Sequence, residues 1–196
     1  IGLAPATIRR HLDILQRDRL VAFEQVRKKT GRPEYSFYLT EVGQEALPKD
    51  YDLLLNMVIQ ELAVLTEGDT NGRDGDMLLA LIFRRLSDKV WDNYKDQVTG
   101  RDLGYRLGAL MGLLTEQDFF PEAEVVGGQL RIKLLNCPFR SVALHNEAVC
   151  SFDSNLISAM LDVDPVREDC IRDGDPGCMY TATIGRREAQ QLSAVP

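Results

Sequence analysis

A helix followed directly by a hairpin, within the first fifty residues, is the feature that most restricts how this chain can fold. The opening sequence "APATIRRHLDILQRDRLV" places Ile8, Leu12 and Leu15 at i, i+4 and i+7, the spacing of one helix face. Two runs rich in β-branched and aromatic residues follow at 21–26 and 35–39, separated by the turn sequence "RKKTGRP". The pattern predicts a helix that leads into a two-stranded antiparallel hairpin.

Basic side chains mark both predicted elements. Four polar or basic residues lie off the apolar stripe in the first two helical turns: Thr7, Arg9, Arg10 and His11. Four more basic residues occupy the turn of the hairpin: Arg27, Lys28, Lys29 and Arg32. A recognition helix followed by a basic-tipped wing is the layout of the winged helix-turn-helix, in which the wing contacts phosphates or the minor groove. The alternative is an ordinary amphipathic helix with a solvated hairpin.

The charge distribution supports a local anionic partner. The whole chain of 196 residues has a formal net charge of −7, which argues against a general nucleic-acid binder. Residues 8–33 nevertheless contain eight basic against three acidic side chains. We therefore expect a winged helix DNA-binding domain over residues 1–49, N-terminally incomplete because the chain begins with Ile1 inside the motif.

The sequence "DYDLLLNMVIQELAVLTEG" predicts a connecting helix over residues 50–67. Leu54, Val58, Leu62 and Leu65 line one face, and further apolar residues cover the others. Because a helix that is apolar nearly all round must be buried, we expect it to pack against a second copy of the chain in a homodimer. The Gly/Asp/Asn-rich stretch at 67–76 predicts a linker and a domain boundary.

The remaining residues, 76–196, predict an α+β domain. Two amphipathic helices meet near Thr99 and Gly100, and two short strands flank Gly127 and Gly128. A helical region follows, and two further strands are predicted at 166–171 and 178–184 around the turn "DGDPG". No apolar run is long enough for a membrane span and no signal peptide opens the chain, so a cytoplasmic location is expected.

All four cysteines fall in this last domain, with the spacing C-x12-C-x19-C-x7-C: Cys137, Cys150, Cys170 and Cys178. The chain has no CxxC, so the spacing leaves open inert thiols, zinc, an iron–sulfur cluster or a redox pair. A continuous helix from Cys137 to Cys150 would separate their Cα atoms by roughly 20 Å. Shared ligation therefore requires the helix to break, and Asn146 beside His145 favours a break there.

The last predicted hairpin separates the other two thiols. If the turn is centred on Asp175 and Pro176, Ile171 pairs with residue 180, and Cys178 shares its face with Ile171. Cys170 then points to the opposite face, away from the other three thiols.

Four stretches together, "TIRRHLDILQRDRLV", "KKTGRPEYSFYLTEVG", "NCPFRSVALHNEAVC" and "REDCIRDGDPGC", resemble the SufR family of iron–sulfur-sensing repressors, relatives of the ArsR and DeoR regulators. The resemblance extends over nearly the whole chain and is nearest to the cyanobacterial members. It implies a homodimer that carries a [4Fe–4S] cluster, binds a palindromic operator and represses the operon for SUF cluster assembly. It also implies Cys137, Cys150 and Cys178 as cluster ligands, and leaves the fourth ligand open to Cys170, His145, a carboxylate or a small molecule.

Two other classes of function remain for comparison. A winged helix regulator could sense a different small molecule, zinc or thiol oxidation, and its cysteines would then have another role. An enzyme is not expected, because the chain has no Gly-rich phosphate loop, no CxxC and no suggestive acid–base pair.

Overall fold

The computed structural model describes Gly2 and residues 4–26 and 34–193. They belong to two compact units, Ile1–Pro48 and Lys49–Pro196. The fold is α+β, as predicted, and each unit has its own antiparallel sheet. The helix predicted at 50–67 and the linker predicted at 67–76 both lie inside the second unit.

The first unit contains the predicted helix and both predicted strands. Its elements are α1 (Pro5–Arg17), β1 (Val21–Val26), β2 (Glu34–Leu39) and α2 (Glu41–Ala46). Pro5 suits the first turn of α1 because its missing N–H would have no helical partner there. The two strands pair antiparallel, with Val21 opposite Leu39.

Aromatic side chains line the hairpin surface that borders α1. The ring of Phe23 lies 5.1 Å from Tyr35 and 5.7 Å from Phe37. These rings and the stripe of Ile8 and Leu12 form the walls of an open groove. Among the described residues of this unit, Val21 is the one apolar side chain that is buried. The apolar stripe of α1 thus borders the hairpin, as its spacing predicts.

The first half of the second unit consists of helices, and three of them begin after an aspartate, a residue favoured at helix N-caps. They are α3 (Tyr51–Ala63), α4 (Glu67–Thr70), α5 (Gly75–Val98) and α6 (Leu103–Glu116). Asp50, Asp74 and Asp102 each accept a hydrogen bond from the backbone N–H three residues further on, and so cap α3, α5 and α6. Among the described residues, none of the helices has the length and apolar character that a membrane crossing requires.

The second half of this unit joins both predicted hairpins in one sheet. Its helices and strands are β3 (Pro121–Val126), β4 (Gln129–Leu134), α7 (Arg140–Ala143), α8 (Ser151–Leu161), β5 (Val166–Asp169), β6 (Cys178–Thr183) and α9 (Arg186–Ser193). The sheet is antiparallel with the order β3-β4-β6-β5. Because β4 pairs with β6, Leu134 lies opposite Cys178.

One core connects the helices to this sheet. Leu110 of α6, Leu156 of α8 and Leu130 of β4 are among its fully buried side chains. Ser87 of α5 joins two helices, because its hydroxyl donates to the carbonyl of Phe83 in α5 and to that of Phe152 in α8. Helix α8, which follows Cys150 directly, packs against α5 and α6.

Helix α3 has one buried and one exposed apolar face. On the buried face, Leu54 packs into the core and Glu61 forms an ion pair with Lys89 of α5. Three side chains, 59%, 52% and 51% exposed, make up the outer stripe: Leu55, Ile59 and Leu62. Leu62 was predicted to lie on the same buried face as Leu54, but it is exposed. Glu61 is buried on that face instead, because Lys89 neutralises its charge.

Candidate metal centre and nucleic-acid interface

All four cysteine side chains line one buried pocket in the second unit. Each is a free thiol and is between 3% and 8% exposed. Cys137 follows β4, Cys150 ends a 3₁₀ turn at Glu147–Cys150, Cys170 follows β5 and Cys178 begins β6. Four separate chain segments therefore each contribute one sulfur.

The break predicted between Cys137 and Cys150 is confirmed. Helix α7 ends at Ala143, and the chain turns before the 3₁₀ segment begins at Glu147. The side chain of Asn146 caps that segment by accepting the Ala148 N–H at 2.9 Å. The turn replaces the roughly 20 Å separation of a straight helix and brings both thiols to the same pocket.

The predicted register of the last hairpin is wrong. Arg167, and not Ile171, lies opposite Tyr180, and the register shifts between Arg167 and Asp169. Strand β5 then ends at Asp169, and a 3₁₀ turn forms at Ile171–Asp173. The alternation of side chains between the two faces of a strand, which had placed Cys170 and Cys178 on opposite faces, therefore does not extend to residue 170.

Cys170 therefore lies with the other thiols, against the prediction. Its Sγ is 3.9 Å from Sγ of Cys178. Its backbone N–H donates to Oδ2 of Asp175 at 2.9 Å, and the N–H of Ile171 donates to Sγ of Cys178 at 3.4 Å. Local hydrogen bonds thus hold both ends of the 170–178 loop and direct both sulfurs into the pocket.

Burial keeps the thiols of Cys137, Cys150 and Cys178 protonated when nothing is bound. It raises the pKa of Cys137 and of Cys178, and it raises the pKa of Cys150 to about 12, with a further contribution from the carboxylate of Asp153. Since metal ligands are thiolates, any metal that binds here must displace protons. The pocket therefore favours groups that bind thiolate strongly.

Asp153 is a buried carboxyl in the first turn of α8 and also lines the pocket. Burial raises the pKa of Asp153 to about 7, although the guanidinium of Arg167 acts in the opposite direction. This residue was not predicted from the sequence. Its spacing of three residues from Cys150, which puts both on one side of a helical turn, was the available signal.

The raised pKa of Asp153 predicts a pH-dependent stability for the protein without bound metal. The folded state binds one more proton than the unfolded state between about pH 4 and about pH 7. The free energy of unfolding should fall as pH rises through this window, by at most about 1.4 kcal/mol per pH unit, and then level off. Asp153→Asn should remove this decline. Urea unfolding of both proteins at pH 5 and pH 8 measures it, and equal pH dependence in both would contradict the assignment.

Arginines surround the cysteine pocket. Arg140 and Arg172 contribute to its lining, and Arg167 lies close enough to Cys150 and Cys170 to interact electrostatically with both. Glu147 bridges Arg167 at 3.0 Å and Arg172 at 2.9 Å. These two arginines hold the pKa of Glu147 below its usual range. Glu147 balances part of this positive charge, and the remainder can offset thiolates in the pocket. The arginines near the pocket were not predicted from the sequence.

His145 does not lie in the pocket. Its ring is exposed, and its Nδ1 lies 2.8 Å from the carbonyl oxygen of Ser141. Over the described ranges, no group of three or more His, Cys, Asp and Glu side chains has the arrangement that holds a metal ion.

The DNA-binding candidates of the first unit divide into two groups. Four side chains on α1 are exposed: Thr7, Arg9, Arg10 and His11. The four basic residues of the hairpin turn lie outside the described residues: Arg27, Lys28, Lys29 and Arg32. Helix α1 thus presents a basic, solvent-accessible N-terminal half.

A scan against models of known protein families finds none that matches this chain, and a search of curated proteins finds no match. Its function therefore has to be inferred from its own residues and their geometry.

Proposed function

We propose that this chain is a DNA-binding transcriptional repressor of the winged helix class, regulated by a [4Fe–4S] cluster in its second unit. The observation that carries the proposal is that four buried thiols from four segments line one pocket. The resemblance to the SufR family suggests the target, which is the operon encoding the SUF cluster-assembly machinery. The repressor acts as a homodimer on a palindromic operator.

The DNA-binding half of the proposal rests on the first unit. The exposed residues of α1 are of the types that contact base edges and phosphates from a recognition helix. The hairpin that follows has its basic turn sequence at residues 27–33, the position of a wing. A basic segment in an acidic protein limits the interaction with DNA to this one region.

The donor set and its surroundings fit an iron–sulfur cluster. Such clusters are held by cysteine thiolates, and soft sulfur ligands favour iron–sulfur clusters over hard ions. The nearby guanidinium of Arg167 offsets negative charge that would otherwise be costly to bury. When bound, the cluster supplies an oxidation-sensitive link between the segments that carry the thiols.

The thiol-bearing segments must separate to admit a cluster. The free space between the thiols is about 10 Å³. Three of the four cysteines lie in loops or 3₁₀ turns, and not inside regular helices or strands. Their backbone can therefore move with less loss of hydrogen bonds than a central strand would suffer. Occupancy of the pocket consequently changes the positions of these segments.

A sensor of zinc or of thiol oxidation is the second candidate function. The 3.9 Å separation of the Cys170 and Cys178 sulfurs favours it. Zn–S bonds of about 2.3 Å in a tetrahedral site place sulfurs about 3.8 Å apart. The same two thiols are near enough for a disulfide after a modest approach. Iron, zinc and disulfide content of the purified protein separate these possibilities.

The outer stripe of α3 is the proposed dimer surface. Leu55, Ile59 and Leu62 follow one another along a single helix face and are each about half exposed. Two copies packed through this face would form a two-fold symmetric pair, the symmetry that a palindromic operator requires.

A set of hydrogen bonds, which we call the latch, connects the Cys137 segment to the start of α3. Nζ of Lys49 donates to Oδ1 of Asn136 at 3.0 Å, and the N–H of Asp50 donates to the carbonyl of Pro138 at 3.1 Å. In addition, the N–H of Ser141 donates to the hydroxyl of Tyr51 at 3.3 Å. Residues 49–51 directly follow Pro48, the last residue of the first unit. The latch is therefore the proposed route by which the pocket influences the DNA-binding unit.

Breaking the latch should uncouple DNA affinity from the cluster. In the double variant Lys49→Met and Tyr51→Phe, both side-chain contributions to the latch are removed, while the thiols are unchanged. We expect normal iron content, and the ratio of DNA affinities with and without cluster should fall by about tenfold. Fluorescence anisotropy on a labelled duplex measures both affinities.

The control for this experiment is Lys95→Met, which removes a lysine charge from α5, where Lys95 pairs with Asp92. It should leave the affinity ratio unchanged. A wild-type ratio in the latch double variant would show that coupling takes another route.

The function itself is tested by selecting binding sites from a pool of random-sequence duplex DNA, using the anaerobically prepared protein. We expect a palindromic sequence to be enriched and its affinity to fall when the cluster is removed by chelation under oxidation. Enrichment of no sequence, or equal affinity in both states, would refute the proposed function.

A further inference from the structure

We propose that Cys170 supplies the fourth ligand of the cluster, so that its ligand set consists entirely of thiolates. This inference rests on the proposed function. It goes beyond the three-cysteine pattern that the SufR resemblance implies, in which Cys170 has no role.

Cys170 lies in the pocket together with the other three thiols. It is 3% exposed, the lowest value of the four cysteines, and it lines the same pocket as Cys137, Cys150 and Cys178. Its sulfur is 3.9 Å from that of Cys178. A cluster bound by the other thiols of the pocket would have Cys170 beside it.

The backbone around Cys170 holds the side chain in this position. Its carbonyl accepts the N–H of Asp173 at 2.8 Å and that of Asp175 at 3.3 Å, and its own N–H donates to the Asp175 carboxylate. Gly174 allows this tight turn because its φ is +99°, in the left-handed region.

The other candidates for the fourth ligand are weaker. His145 is exposed and bonded to Ser141, outside the pocket. Asp153 lines the pocket, but a carboxylate is a harder donor than a thiolate and suits an iron–sulfur cluster less well. Cys170 is both inside the pocket and of the preferred donor type.

Arginines near the pocket can offset part of the negative charge of four thiolates, although Glu147 pairs with two of them. Each thiol that binds releases its proton to solvent, and a cluster with four thiolates carries a net of about two negative charges. Arg167 interacts electrostatically with both Cys150 and Cys170, and Arg140 and Arg172 contribute to the pocket lining. Burying such a complex requires this kind of positive environment.

The test compares Cys170→Ser with Asp153→Asn in the full chain, after anaerobic reconstitution with ferrous iron, sulfide and a thiol reductant. Mild oxidation with ferricyanide removes the iron that lacks a thiolate ligand and leaves a paramagnetic [3Fe–4S] cluster. We expect Cys170→Ser to lose one iron of the four, about tenfold or more faster than wild type. Asp153→Asn should keep all four. Electron paramagnetic resonance and iron analysis provide the readouts.

A second measurement needs no substitution. Mössbauer spectroscopy of the wild-type protein loaded with ⁵⁷Fe should show no iron site with a distinct, non-thiolate ligand set. This result keeps the proposal testable even if Cys170→Ser fails to fold.

The outcomes separate the two levels of the proposal. If the wild type shows a unique iron site, or if Asp153→Asn loses the iron and Cys170→Ser does not, the assignment of Cys170 is overturned while the cluster remains. If the wild type binds no cluster at all, the proposed function fails, and the inference fails with it.

Discussion

Replacing Cys150 by serine is expected to abolish cluster binding and to lower affinity for the selected DNA by about 5- to 150-fold, the range of typical coupling free energies. Cys150 is 7% exposed at the junction of the 3₁₀ turn and α8, and it lines the pocket with the other thiols. Serine is nearly isosteric but lacks the thiolate that iron requires. Iron content, visible absorption and DNA-binding anisotropy measure the effect.

The matched control is Ser154→Ala on the same helix. Ser154 is half-buried, and its hydroxyl donates to the carbonyl of Ser151, away from the thiols. When all three proteins are prepared without cluster, both variants should unfold at temperatures similar to that of the wild type. A Cys150→Ser protein that keeps its full iron content and DNA affinity would rule out this residue as a ligand.

The double variant Arg9→Ala and Arg10→Ala is expected to lose most of the DNA affinity while keeping the cluster. Both guanidinium groups are exposed on the N-terminal half of α1. Each phosphate contact removed should reduce the slope of log K for DNA binding against log salt concentration by about 0.9. Each lost arginine contact should weaken the binding free energy by about 1–3 kcal/mol. Anisotropy titrations at several salt concentrations determine both quantities.

The control for this double variant removes the same amount of positive charge from the second unit. Arg84→Ala with Arg187→Ala removes two exposed arginines from the second unit. This double variant should bind DNA nearly as well as the wild type. If the α1 variant also keeps wild-type affinity and salt dependence, helix α1 is not the recognition element.

Some elements could be predicted from the sequence because their signals are local. The strand at 21–26 matches β1 residue for residue, since its apolar run ends at the basic turn sequence. The helix break before Cys150 followed from the capping preference of Asn146, and that side chain forms the cap. In each case one or two neighbouring residues determine the backbone.

The position of Cys170 could not be predicted in the same way. A two-residue alternation requires the strand to continue, and here a register shift and a 3₁₀ turn end β5 at Asp169. Both depend on the contacts of Asp175 and Gly174 with the rest of the loop, and on the pairing of β6 with β4. A two-residue periodicity encodes neither these loop hydrogen bonds nor the pairing of the strands.

The charged residues of the pocket were missed for a different reason. Asp153 and Arg140 are buried although their side chains are ionisable, and sequence patterns assign such residues to the surface. Glu61 on α3 is a further case, buried because Lys89 pairs with it. Burial of a charge depends on a partner distant in sequence, and this partner becomes visible only in the folded chain.

The iron and acid-labile sulfide content of the anaerobically purified protein tests cluster binding directly. We expect about four iron and four sulfide per chain, with the broad visible absorption of a thiolate-bound cluster. We also expect Cys137→Ser and Cys178→Ser to lower both contents together, as cluster binding by these thiols requires. A colourless protein that contains neither iron nor sulfide, before and after reconstitution, would contradict it.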